Sequence, residues 1–251
     1  MATFLLTRLY GPLCAWGGPA VGELRPTGDH PTRSALLGLL GACLGVRRDD
    51  AQEQAVLVEG FGVAVRVDAA GRRMEDYHTI QAPKARKGVD PVTRREELAN
   101  PDHLETMITR RGYVQDAVYS VAWWGRGTPP WGLDTAAEAL TQPRFTPYLG
   151  RKSCPPALPL VPVLSDGPTL VEAFADLDAY LVAAWGGHEG GDPLAGLLDT
   201  GPRPVVWDLD PPGGDPVAVQ SLNHRRDAPA DRGRWQFEER VEKAGLLGGA
   251  E

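Results

Sequence analysis

The order of periodic segments constrains this chain more than any other feature. Thr3-Phe4-Leu5-Leu6-Thr7-Arg8-Leu9-Tyr10 reads as a strand and runs directly into the turn residues Gly11 and Pro12. Thr32 is placed to cap a helix from Arg33 to about Leu44, which Gly45 stops. Ala55 to Val67, rich in valine, reads as a second strand, and Tyr113 to Trp123 as a third. Leu133 to Leu140 reads as a short helix and Leu158 to Leu164 as a last strand flanked by prolines. The sequence thus predicts an α+β class with strand-helix-strand-strand-helix-strand order, the split βαβ pattern of ferredoxin-like, RRM-like domains. No repeat with a period of about 20 to 50 residues is visible, which weighs against a solenoid.

Residues from about 72 to 112 show no sustained period and are too many for an ordinary link between two strands, so the stretch is expected to carry function. It holds a basic patch. Gln81 to Arg95 contains Lys84, Arg86, Lys87, Arg94 and Arg95 against the single acid Asp90. Such a run suits phosphate binding, although by itself a solvated surface is the simpler explanation. Arg110 and Arg111, just before the third strand, are placed to grip phosphates or to form an exposed structural pair.

The net charge of -7 at first argues against nucleic acid, but its distribution does not. Residues 1 to 152 carry 19 Lys and Arg against 17 Asp and Glu, whereas residues 153 to 251 carry 7 against 16. The acidity belongs to the C-terminal part. From about Ser165 that part shows one amphipathic helix, Leu170 to Trp185, and strand-like runs Pro204 to Leu209, Val217 to Leu222 and Arg234 to Glu239. It reads as a smaller, mainly β lobe (165–251) resting on a first domain (1–164).

Phe145-Thr146-Pro147-Tyr148-Leu149-Gly150-Arg151-Lys152-Ser153-Cys154-Pro155-Pro156 places two aromatics, two adjacent cations and a glycine between prolines that forbid helix. Gly150 would admit a phosphate to bare backbone N–H groups, Arg151 and Lys152 supply charge, and Phe145 and Tyr148 offer faces for stacked bases. An ordinary connection with solvated cations is the alternative. In the first helix, Ser34, Gly38, Gly41 and Gly45 recur at spacings of four, three and four. Each internal glycine costs about 1 kcal/mol relative to alanine, so close approach by another backbone is expected there. Arg33 and Ser34 beside the free N–H groups of the helix start make a candidate phosphate seat. Trp16 follows the first strand and is a candidate for proximity to RNA; of Trp123 and Trp124, one is expected in the core and the other against a partner.

Several classes are excluded. Cys14, Cys43 and Cys154 lie far apart with no Cys-x-x-Cys spacing, so neither a disulfide framework nor a zinc site is indicated, and a reducing cytoplasm fits. The longest apolar run, Ala35 to Val46, is too short to span a bilayer, and the N-terminus lacks the pattern of a signal peptide; no membrane association is expected. Gly17-Gly18-Pro19 and Gly186-Gly187-His188-Glu189-Gly190-Gly191 lack the Lys and Ser/Thr of a nucleotide loop. No cofactor or metal is expected.

Four segments, taken in order, carry a further signal: Thr3 to Gly17; Arg25-Pro26-Thr27-Gly28-Asp29-His30-Pro31-Thr32-Arg33-Ser34 with the helix to Gly45; Asp76-Tyr77-His78-Thr79; and Tyr148-Leu149-Gly150-Arg151-Lys152-Ser153-Cys154-Pro155. Together they resemble the CasD-type subunits of the type I-E CRISPR surveillance complex, Cascade, from residue 3 to about 164. The resemblance implies a ferredoxin-like fold of the RAMP type, with residues about 72–112 forming a β-hairpin thumb that reaches along the crRNA. It also implies a non-catalytic, cytoplasmic scaffold in antiviral defence. Such a subunit caps the crRNA 5′ handle at one end of the CasC-type backbone and docks the CasA-type large subunit; it meets target DNA only through the assembled complex.

The competing reading is a metal-independent repeat-RNA endoribonuclease, since related RAMP proteins include enzymes that activate a ribose 2′-hydroxyl. Among His30, His78, His103, His188 and His224, His78 has the best context, beside Tyr77 and Asp76. No spacing of nucleophile, base and orienting group accompanies it. A protein-only adaptor, the third possibility, would not need the Gly150-Arg151-Lys152 loop.

Overall fold

The computed structural model describes residues 2–18, 20–84, 92–128, 131–187, 191–208, 211–231, 234 and 236–248. Seven strands form one antiparallel sheet. In chain order they are β1 (Phe4–Tyr10), β4 (Phe61–Ala69), β7 (Val118–Gly125), β8 (Val163–Ser165), β9 (Arg203–Trp207), β10 (Ser221–Asp231) and β11 (Gln236–Leu247). Across the sheet the order is β10-β11-β9-β4-β7-β1-β8. Four more strands make a second sheet: β2 (Leu13–Cys14), β3 (Leu24–Arg25), β5 (Arg72–Pro83) and β6 (Leu104–Gln115). The helices are α1 (Arg33–Leu44), α2 (Ala51–Gly60), α3 (Arg94–Glu97), α4 (Leu133–Thr141) and α5 (Leu170–Gly186).

Alternation decides which side of the large sheet each residue serves. Leu5, Leu9, Val63, Val65, Val121 and Trp123 pack under Leu36, Leu39 and Leu40 of α1 and Ala136 and Leu140 of α4. Phe4, Leu6, Ala64, Ala122, Trp124 and Trp207 pack under Leu170, Phe174, Leu177 and Leu181 of α5. Trp123 and Trp124 therefore both lie in the core, on opposite faces, and neither is left to meet a partner. Trp124 requires Gly62 across the ladder, because a Cβ there would lie 2.1 Å from its Cε2.

The α1 caps are those the sequence predicts. Thr32 accepts from Ala35 N at 3.2 Å, and Gly45 adopts φ 84° with its N–H on the Ala42 carbonyl. Gly41 admits a neighbour as expected, but that neighbour is the Leu57 side chain of α2, whose Cδ2 would be 2.8 Å from a Cβ. The expected strand from Ala55 to Val67 begins only at Phe61. Asp50 caps α2 by accepting from Glu53 N at 2.9 Å, and the helix formers of Ala51–Leu57 outweigh Val56 and Val58. The third strand is also cut: Asp116, at φ 55°, turns the chain so that Tyr113–Gln115 end β6 and Val118 begins β7. Pro155, Pro156, Pro159 and Pro162 offer no N–H to a ladder, and the last strand shrinks to β8.

Residues 165–251, expected as a smaller lobe resting on the first domain, contribute β9, β10 and β11 to the same sheet. β9 pairs with β4 through Trp207↔Ala64, Val206↔Val65 and Val205↔Arg66, and β11 and β10 follow outward. Val205, Val206 and Trp207 are buried, so β9 has the profile of an interior strand and closes what would otherwise be an open edge of β4.

The aperiodic stretch becomes the β5–β6 hairpin, antiparallel from Arg72↔Gln115 to Pro83↔Leu104. All of β5 is exposed or half-exposed, so no burial stripe marks it in the sequence. At its root, β2 and β3 pair with β6, tying the Leu13–Arg25 segment to the hairpin.

Candidate nucleic-acid interface

The loop 145–154 sits where three parts of the chain meet: the segment after β1, the hairpin root and the end of α1. Leu149 is the plug. It is buried, accepts from Ala15 N at 3.0 Å and donates to the Cys154 carbonyl at 2.7 Å. Gly150 follows at φ 86°, and a Cβ there would lie 1.9 Å from the Ala15 carbonyl oxygen. Its N–H bonds the Tyr148 carbonyl at 3.0 Å. The backbone that approaches Gly150 closely is thus the chain's own, and the expected phosphate contact at its N–H is not built.

Arg151 has a comparable internal role. Nη1 donates to the Gly112 carbonyl at 3.0 Å, Nη2 to the Arg25 carbonyl at 2.9 Å, and the guanidinium lies 4.6 Å from the centre of the Tyr113 ring. One planar fork thereby clamps loop, β3 and β6 together. What remains outward from the loop is Phe145, Tyr148 and Lys152, with Phe145 48% and Tyr148 38% exposed.

Two expected contacts are corrected by burial. Trp16 is 1% exposed, meets Tyr119 edge-on at 5.7 Å, and its backbone N–H bonds Thr27 Oγ1 at 2.8 Å, so its ring presents no face to a base. Arg33 points inward to an ion pair with Asp208 and to the carbonyls of Val58 and Phe61. A carboxylate of the protein occupies the place intended for a phosphate. Ser34 is half-buried, with its hydroxyl 3.1 Å from that of Thr32. The helix start is therefore closed by internal partners.

On the hairpin, Lys84 is exposed at the end of β5, while Arg86 and Lys87 lie outside the described residues. Arg110 is exposed and 3.7 Å from Glu75; Arg111 is half-buried and donates to Thr109 Oγ1 at 3.3 Å. Register adds Tyr77, directly opposite Arg110 and 59% exposed. Sequence reasoning missed this pairing because only the register of the hairpin shows it. His78 Nδ1 lies 2.9 Å from Asp76 Oδ2, both exposed. The cysteines offer no nucleophile: burial pushes the Cys14 thiol up to about 12 and that of Cys43 to about 11. Among the described residues no group of three or more His, Cys, Asp or Glu is placed to hold a metal, and no helix is long and apolar enough to cross a membrane.

Three buried charge networks also escaped the sequence reading. Between the sheet and α5, Arg66 bonds Asp178 at 2.6 and 2.9 Å and Asp68 at 2.6 Å, joined by Arg8 and Arg203. Asp208 gathers Arg33, Arg126 and the Val63 N–H. Glu242 meets His30, Arg225 and Arg240. Each network joins segments that are remote in the chain, a relation no local pattern reveals.

The architecture defines the class: an α+β protein whose antiparallel sheet is covered by helices on both faces and carries a long, exposed hairpin. Comparison with known proteins gives the family. Residues 4–241 match the family described as CRISPR-associated protein (Cas_Cas5), and the chain belongs to it. Over 168 residues it is 41% identical to the CRISPR system Cascade subunit CasD of Escherichia coli, covering 64% of this chain and 70% of that protein. A solved CRISPR RNA-guided surveillance complex contains a chain similar in fold, with a TM-score of 0.63 at 25% identity over 97% of this chain and 90% of that one. A second structure, described as a Cas protein, matches with a TM-score of 0.59 at 25% identity, over 98% and 95% of the two chains.

Proposed function

We propose that this protein is a non-catalytic crRNA-binding subunit of a type I-E Cascade that caps the 5′ handle and helps assemble the surveillance complex. The observation that carries the reading is the 41% identity to a Cascade subunit over 168 residues. Geometry supports it. In this reading β8-β1-β7-β4 with α1 and α4 is the ferredoxin-like βαββαβ core and the β5–β6 hairpin its thumb, and the order of these four strands in the large sheet supports it. α5 covers the sheet face that RRM-type domains use for stacking bases, so RNA is directed to the hairpin and the loop instead. Lys84, Arg110, Arg111 and Lys152 supply charge there, and Tyr148 and Tyr77 supply rings. A CasC-type backbone subunit and a CasA-type large subunit are the protein partners, and target DNA is met through the assembly.

The test is co-expression with the partner subunits, purification through this chain and sequencing of the retained RNA. A single RNA species with a defined 5′ end is expected; random cellular RNA or none would overturn the reading. The Asp76–His78 pair gives the endoribonuclease alternative structural support. Incubating the protein with repeat RNA in EDTA should leave the RNA intact, and clean single-site cleavage abolished by His78→Ala would replace the scaffold with an enzyme.

A further inference from the structure

Phe145 is mounted more rigidly than a half-exposed aromatic on a loop ordinarily is. Its N–H donates to the Ala42 carbonyl and that of Arg144 to the Cys43 carbonyl, each at 3.0 Å. Gly45 N and Val46 N take the carbonyls of Ala42 and Gly41 at 3.2 and 2.8 Å. The Gly41, Ala42 and Cys43 carbonyls in the last turn of α1, which would repel an anion, are thus engaged with N–H groups. Beside them lies a depression of about 480 Å³ lined by Phe145, Arg47, Arg48 and Asp49. Arg47 holds Asp49 at 3.1 and 3.3 Å in a pair that is 73% exposed on both sides. Exposed pairs of this kind contribute little, so a phosphate can take the place of the Asp49 carboxylate.

We infer that Phe145, Arg47 and Arg48 form a second nucleotide seat, in which a base stacks on the ring and a phosphate lies against the guanidinium groups. RNA held at Tyr148 and Lys152 then continues across the end of α1. The inference rests on the reading of this chain as an RNA-binding subunit. Residues 145 and 148 are at most about 11 Å apart along the chain, a distance that one short strand bridges. Ring and cation together select single-stranded nucleic acid: a duplex hides its base faces, whereas an unpaired base offers one.

Fluorescence anisotropy of the full chain with a labelled, unstructured single-stranded RNA tests this. Phe145→Ala should raise Kd about 5- to 100-fold, whereas Phe145→Tyr, which keeps the ring, should bind nearly as the parent does. Replacing Arg47 and Arg48 together with alanine should flatten the salt dependence by about 0.7 in slope, the value for the one phosphate they hold. Asp49→Asn, which releases Arg47, should tighten binding. Photo-crosslinking of 4-thiouridine RNA to the parent protein should label the peptide containing Phe145, a readout independent of how the variants fold. If Tyr148→Ala weakens binding while the Phe145 and arginine variants do not and no adduct forms at Phe145, the seat is overturned and the RNA-binding reading stands. If none of these variants changes RNA binding, the seat is overturned; if the parent chain binds no RNA at all, the RNA-binding reading is overturned with it. Loss of a co-purifying subunit with unchanged RNA affinity would assign the depression to a protein contact and equally overturn the seat.

Discussion

Gly150 and Arg151 show how a residue chosen for chemistry can prove to be structural. In the sequence they read as a phosphate contact and a free cation; in the fold they lock the loop to Ala15, Arg25 and Gly112. Gly150→Ala should therefore destabilise the protein itself, by at least about 1 to 3 kcal/mol from the left-handed backbone alone, with a further cost from the clash with the Ala15 carbonyl. Thermal melting without RNA checks this, and an unchanged melting temperature would show that the loop is not wedged as described. Tyr148 differs. Its ring is available, so Tyr148→Ala should cost about 1 to 3 kcal/mol of RNA binding with little change in melting, and Tyr148→Phe much less.

Among the elements, the β5–β6 hairpin shows where function and predictability part. Its strands are long and regular, yet β5 buries no residue fully and β6 buries only Thr109, Tyr113 and Val114, so the alternation by which strands are recognised in sequence is weak. A length too great for a simple link and a run of cations are the legible signals. If the hairpin follows RNA, replacing Lys84 and Arg110 together with alanine should reduce the salt slope of binding by about 1.4 without shifting the melting temperature. An unchanged slope would leave these cations as a solvated surface. At α1 the converse holds: Arg33 is buried against Asp208, so Asp208→Asn should cost about 3 to 5 kcal/mol of stability by stranding two arginines. Urea unfolding measures this, and a loss below about 1 kcal/mol would mean that water already reaches the pair.

At the scale of the whole molecule, charge pairs between distant segments join the C-terminal strands to the rest. Burial alone would raise the Glu242 carboxyl, but His30, Arg225 and Arg240 around it win and hold it at about 2, against an ordinary 4.5. A carboxylate depressed on folding stabilises above its unfolded pKa, and that contribution fades as pH falls from about 4.5 toward 2. Its size is about 3 kcal/mol, at 1.36 kcal/mol for each pKa step. The parent protein should lose stability steeply across this window, and Glu242→Gln should be less stable at pH 7 with a shallower acid limb. Identical pH profiles for the two proteins would refute the assignment.

What the sequence by itself determined is what short-range physics encodes. Thr32 and Gly45 bound α1 because caps act within one turn, Phe4–Tyr10 reads as a strand because a short apolar run ended by Gly11 and Pro12 is a local signal, and the order of segments around Thr3–Gly17 and Tyr148–Pro155 pointed to the family. The tertiary structure alone decided the rest. Trp16 and Arg33 looked available and are buried, since burial depends on what packs from elsewhere: Tyr119 and Thr27 on one, Asp208 on the other. The C-terminal strands read as a smaller lobe resting on the first domain, and only the fold shows that β9 pairs with β4, because a strand edge carries unpaired N–H and C=O groups that another strand, distant in sequence, satisfies.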